Sequence, residues 1–139
     1  GDTELPLWSS ATIGAVPLLD WNGIGGRGQL TAEVRGQIAH EVIDSAYRII
    51  AGKGATNYAV ALASSRIIEA VINDEQRILP VSSLLDGYYG ISDVCLSVPT
   101  LVGRDGAGER LQVPMSADEL AGLRRSAESL TTVARRLGF

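Results

Sequence analysis

The side chains best placed to do chemistry lie at Gly52-Lys53-Gly54-Ala55-Thr56, where two glycines break a helical pattern and leave a hydroxyl at the start of the next one. Read from the residues alone, that hydroxyl caps the second helix by satisfying unpaired N–H groups of its first turn. His40 is the only histidine, and it falls well off the apolar stripe of its helix, so it reads as a surface or structural residue. Asp2 and Glu4 could form a carboxylate pair for proton transfer, although turn residues are the plainer reading. Cys95 falls in an extended pattern and reads as a small buried hydrophobe. Gly23, Gly25 and Gly28 fit the G-x-G-x-x-G spacing of a dinucleotide loop, but no strand feeds them and no acidic ribose partner follows, so they read as loop. Arg124-Arg125 and Arg135-Arg136 read as solvated helix faces.

The elements that must position Thr56 follow from periodicity. From Thr31, Val34, Ile38, Val42, Ala46 and Ile49 or Ile50 recur on one stripe, which predicts a long amphipathic helix ending at Gly52 and Gly54. A second helix is predicted from about Thr56 to Asn73, with Ala59, Ala63, Ile67, Ala70 and Val71 on one side. Extended patterns follow over 77–85, 93–102 and 110–115, separated by Asp86-Gly87 and by the glycine-rich stretch 103–108. They predict an antiparallel meander in which Pro80 and Pro99 favour edges or irregular positions. Ser116-Ala117-Asp118-Glu119 is a capping-box pattern opening a last helix, with Leu120, Leu123, Ala127, Leu130, Ala134 and Leu137 as its stripe. Upstream, Ile13 to Leu19 reads as a strand and Asp20 to Gly28 as loop. The fold class is therefore α+β, with long helices packed on an antiparallel sheet.

The whole-chain quantities narrow the function. A length of 139 residues supports one domain with a core. A formal net charge of -4 and a pI near 4.9 argue against a nucleic-acid partner, which would need clustered Lys and Arg. The longest unbroken apolar run, Tyr58 to Ala63, is far too short to cross a bilayer. One cysteine cannot form an internal disulfide, and no secretory signal is evident, so a reducing, cytoplasmic setting is expected. The chain has no initiator Met and opens on Gly1-Asp2-Thr3-Glu4, which reads as a fragment.

Gly1-Asp2-Thr3-Glu4-Leu5-Pro6-Leu7-Trp8-Ser9 resembles the segment that follows the catalytic histidine in the lactate/malate dehydrogenase family, and Lys53-Gly54-Ala55-Thr56 resembles that family's substrate-pocket motif. Leu79-Pro80-Val81-Ser82-Ser83, Asp86-Gly87-Tyr88-Tyr89-Gly90, Asp93-Val94, Val98-Pro99 and Val102-Gly103 are similar to its C-terminal sheet, in the same order. The resemblance covers essentially the whole chain, and the first and second motifs are its more lactate-like features. It implies the substrate-binding half of an NAD-dependent enzyme interconverting pyruvate and L-lactate, a homo-oligomer, usually a tetramer. It further implies that Thr56 lines the substrate pocket and that Val60, one helical turn on, approaches the nicotinamide. The histidine would immediately precede Gly1, and the substrate-binding arginines and the nucleotide-binding domain would lie upstream, so the chain alone is expected to be inactive. Malate dehydrogenase is the near alternative. The competing reading from another class is a non-catalytic α+β binding or interaction module.

Overall fold

A computed structural model describes residues 4–21 and 30–138. The chain divides into two compact units, Gly1–Thr56 with Pro114–Leu120, and Asn57–Val113 with Ala121–Phe139. In the first unit a 3-10 turn, Trp8–Ser10, leads into a two-residue hairpin of β1 (Thr12–Ile13) and β2 (Val16–Pro17), closed by Gly14 at φ 61° and followed by a second 3-10 turn, Leu18–Asp20. The strand expected from Ile13 to Leu19 is thus folded back on itself. A positive φ at Gly14 reverses the chain before a longer strand can form. The Leu18 N–H donates to the Ala11 carbonyl at 2.8 Å and closes this N-terminal strap.

Helix α1 (Ala32–Lys53) begins where the sequence says it should. Thr31 is its N-cap, with Oγ1 accepting from the Val34 N–H. Its end is set by Gly54 alone, at φ 82°, whose N–H donates to the Ile50 carbonyl at 2.8 Å. Gly52 sits inside the helix. None of the α1 residues is buried, so its apolar stripe is largely uncovered within this chain.

The second unit opens with α2 (Asn57–Ile72), which meets the sheet strand β4 and buries only Ala70. The other members of its expected packing side, Ala59 and Ala63 among them, are exposed or half-buried. The sheet is antiparallel in the order β3-β4-β5, formed by β3 (Arg77–Leu85), β4 (Val94–Gly103) and β5 (Gly106–Arg110). Along β4 burial alternates up to Val102: Val94, Leu96, Val98, Thr100 and Val102 are buried, whereas Cys95, Ser97, Pro99 and Leu101 face the other way. Cys95 is therefore exposed, contrary to the expectation of a buried hydrophobe. Its parity along the strand outweighs its residue type.

Two other expectations about the sheet are corrected. Pro99 lies on the central strand, opposite Pro80. Two facing prolines have no N–H groups to exchange, and they are accommodated where a ladder would aim its N–H groups away from the partner strand; a register shift against β5 follows at Thr100/Val102. The third strand lies at 106–110, not 110–115. Only Arg104-Asp105 turn, because Gly106 at φ 87° allows a two-residue hairpin loop. Past Arg110, the Leu111 and Val113 carbonyls accept from the hydroxyls of Tyr88 and Tyr89 at 2.9 and 2.6 Å. The Leu111 N–H still donates to the Pro99 carbonyl at 2.8 Å, and Pro114 follows directly after Val113.

Helix α3 (Ala117–Arg136) buries Gly122, Leu123, Ser126 and Ala127 along one stripe. Leu130 and Leu137, expected on that stripe, are exposed. The architecture is α+β, with an antiparallel three-stranded sheet.

Candidate functional site

The break after α1 is built by one glycine. Gly54 turns the chain through the left-handed region, Ala55 follows, and Thr56 stands immediately before Asn57, the first residue of α2. Thr56 is half-buried. Val60, within the first turn of α2, is 61% exposed. An aliphatic side chain held on a rigid helix at that exposure can lie against a flat apolar group.

The N-terminal strap forms the other feature of the first unit. Leu5, Pro6 and Trp8 line a cleft of ≈180 Å³ together with Ile38, Ala39, Val42 and Ile43 of α1. Its walls are almost wholly apolar, Glu4 being the one charged residue among the described residues that line it, and Thr56 is not one of these. One carboxylate ties the strap to the start of α3. Glu119 Oε1 accepts from the Ser9 N–H at 2.9 Å, while Oε2 accepts from the Ser116 N–H at 2.7 Å. The Glu119 N–H in turn donates to Ser116 Oγ at 3.2 Å, completing the capping box. Glu119 is 7% exposed, and burial alone would raise its pKa, but the bonds from Ser116 and Ser9 outweigh that and hold it below the ordinary 4.5. The capping pattern made Glu119 legible; its bond to Ser9 spans 110 residues and leaves no signal in local spacing.

A second concavity, ≈420 Å³, belongs to the other unit and lies between 90–94 and the face of α3 that carries Arg124, Glu128, Thr131 and Arg135. The two arginines are exposed, as expected of a solvated face. His40 is likewise on the surface, its Nε2 3.1 Å from Asp44 Oδ2 one turn away. Asp2 and the glycine-rich stretch at 23–28 lie outside the described residues. Among the described residues no three His, Cys, Asp or Glu side chains gather as a metal site would require, and no helix is long and apolar enough to cross a membrane.

Residues 1–136 match the family model of the lactate/malate dehydrogenase, alpha/beta C-terminal domain. The L-lactate dehydrogenase of Bifidobacterium animalis subsp. lactis is 55% identical over 139 residues, which is all of this chain and 43% of that protein. The L-lactate dehydrogenase of Oceanobacillus iheyensis is 47% identical over 130 residues, 94% of this chain and 40% of its own length. Among solved structures, MGS-M5, a lactate dehydrogenase enzyme from a Medee basin deep-sea metagenome library, superposes with a TM-score of 0.93 at 32% identity, over 100% of this chain and 44% of that one. The chain thus spans less than half the length of the relatives it matches.

Proposed function

Because this chain belongs to the lactate/malate dehydrogenase family, we propose that it is the C-terminal, substrate-binding domain of an NAD-dependent L-lactate dehydrogenase. The observation that carries this reading is the 55% identity to an L-lactate dehydrogenase across the entire chain. The reaction is the interconversion of pyruvate and L-lactate by a cytoplasmic homotetramer.

In this reading Thr56 faces the keto acid. The hydroxyl of a half-buried residue in a glycine-made break can donate to a substrate oxygen. Val60 gives the nicotinamide an apolar wall. NAD, when bound, supplies the hydride acceptor or donor. These side chains suit a flat ring and a small polar substrate, not a pyrophosphate, so the nucleotide is held mainly by polypeptide outside this chain. In this reading the proton-exchanging histidine and the arginine that forks onto the substrate carboxylate belong to that polypeptide too. What this chain does is orient: the rigid start of α2 fixes one wall of the cleft, and small misplacements of such walls cost rate.

The test is to express the complete open reading frame and assay it with NADH against pyruvate and oxaloacetate. Pyruvate is the expected preferred substrate, and a preference for oxaloacetate would overturn the lactate assignment. Thr56→Val keeps the shape and removes the hydroxyl, and it is expected to lower kcat/KM for pyruvate roughly 5- to 10-fold. The 139-residue chain alone is expected to oxidise no NADH with pyruvate.

A further inference from the structure

Glu119 uses more of its carboxylate than helix capping requires. A capping box needs one side-chain oxygen at the third helical position, and glutamine serves there as well as glutamate. Here the second oxygen is committed to the Ser9 N–H at 2.9 Å, in the 3-10 turn of the strap. A carboxylate that is 7% exposed is costly to desolvate, and its two oxygens match two backbone donors that a neutral amide could not both satisfy. The strap's apolar side chains Leu5, Pro6 and Trp8 face the cleft on α1, but apolar contact is non-directional and fixes no register along the helix. The hydrogen bond to Ser9 does.

We propose that Glu119 is a positioning residue: through Ser9 it sets the register of the N-terminal strap, and with it the polypeptide immediately upstream that takes part in proton exchange. The proposal rests on the dehydrogenase reading, because only there does the strap lead back to a reacting group. Glu119 acts at a distance, by limiting how far that group can drift from the substrate.

The experiment compares three variants of the full-length polypeptide, Glu119→Ala, Glu119→Gln and Ser116→Ala. Glu119→Gln retains one accepting oxygen and keeps the fold should Glu119→Ala fail to fold. Ser116→Ala removes the other half of the capping box and leaves the Ser9 bond in place. Expected are a fall in kcat of about 10-fold for Glu119→Gln, with the KM for NADH unchanged, and a kcat for Ser116→Ala within about twofold of wild type. In parallel, amide exchange over residues 5–12 is expected to quicken in Glu119→Gln and not in Ser116→Ala. If all three lower thermal stability while kcat and exchange at 5–12 follow stability alone, Glu119 is a helix cap and the proposal falls. Quickened exchange in Glu119→Gln with unchanged kcat also overturns it. An inactive wild type with an exchange pattern as expected would sink the dehydrogenase reading and leave the strap tether standing, so the two failures are distinguishable.

Discussion

At Asp74 one carboxylate oxygen accepts from the Arg104 N–H and from the Gln76 side-chain amide, both at 2.8 Å. The corner is tight: Asp74 and Gln76 are at positive φ, and a Cβ on Gly103 would come within 2.1 Å of Gln76 Nε2 and 2.8 Å of Asp74 Oδ1. Only glycine fits at 103 without moving that side chain. The backbone bond from Arg104, and after it the bond from Gln76, pull the Asp74 pKa below its ordinary 3.8. A carboxylate whose folded value is depressed adds stability above its unfolded pKa and loses it as pH falls through the folded one. Asp74→Asn keeps an accepting oxygen but does not titrate. The gap in urea midpoint between wild type and this variant is therefore expected to be constant from neutrality down to about pH 5 and to shrink as pH falls below about 4. Urea titrations across that range check it, and a gap that stays constant into the acid limb would refute the role of charge at this corner.

The two glycines that the sequence offers as the end of α1 are separated by the structure. Gly54 is left-handed at φ 82°, while Gly52 is helical and a Cβ there would meet no atom within 4 Å. Gly54→Ala is expected to destabilise the first unit by about 1–2 kcal/mol, and Gly52→Ala to stabilise it by roughly 0.5–1 kcal/mol. Chemical denaturation of both variants measures the contrast; equal and opposite-signed failures would mean the helix ends elsewhere. Composition alone could not divide these roles, because glycine is compatible with either backbone. The same limit governs the rest of the elements. Helix periodicity made α1 and α3 legible from Thr31 and Ser116 onward, and β3 falls on the predicted residues. Strand β5 did not, because Gly106 at φ 87° lets the chain turn at Arg104-Asp105 and start the strand earlier than its apolar pattern, while past it the Tyr88 and Tyr89 hydroxyls bond to the Leu111 and Val113 carbonyls, partnerships 23 and 24 residues apart. Cys95 was misplaced for a simpler reason: strand parity, fixed by Val94 and Leu96, decides exposure before hydrophobicity does.

Across the whole chain, the apolar pattern that announced α1 and α2 is left mostly unused. No α1 residue is buried, and Val42, Tyr58, Leu62 and Ile72 are 59, 73, 70 and 72% exposed. At the proposed site the sequence offers a hydroxyl after Gly54 and an aliphatic side chain one helical turn on, Thr56 and Val60, and the motif carries no acid, base or phosphate cradle beside them. Stripes with helical spacing state that a surface will be covered, without stating by what. In relatives more than twice this length, further polypeptide is available to cover them. Without it, α1 and α2 carry several large apolar side chains exposed at helical spacing, and such faces associate. The 139-residue chain in isolation is therefore expected to self-associate, eluting above its 14.7 kDa mass in light scattering with a concentration-dependent size. Val42→Glu together with Leu62→Glu places charge on both helices and is expected to shift it toward monomer with helix content retained. A monodisperse 14.7 kDa species at every concentration would show that these faces need no cover, and would remove the argument that they are interfaces.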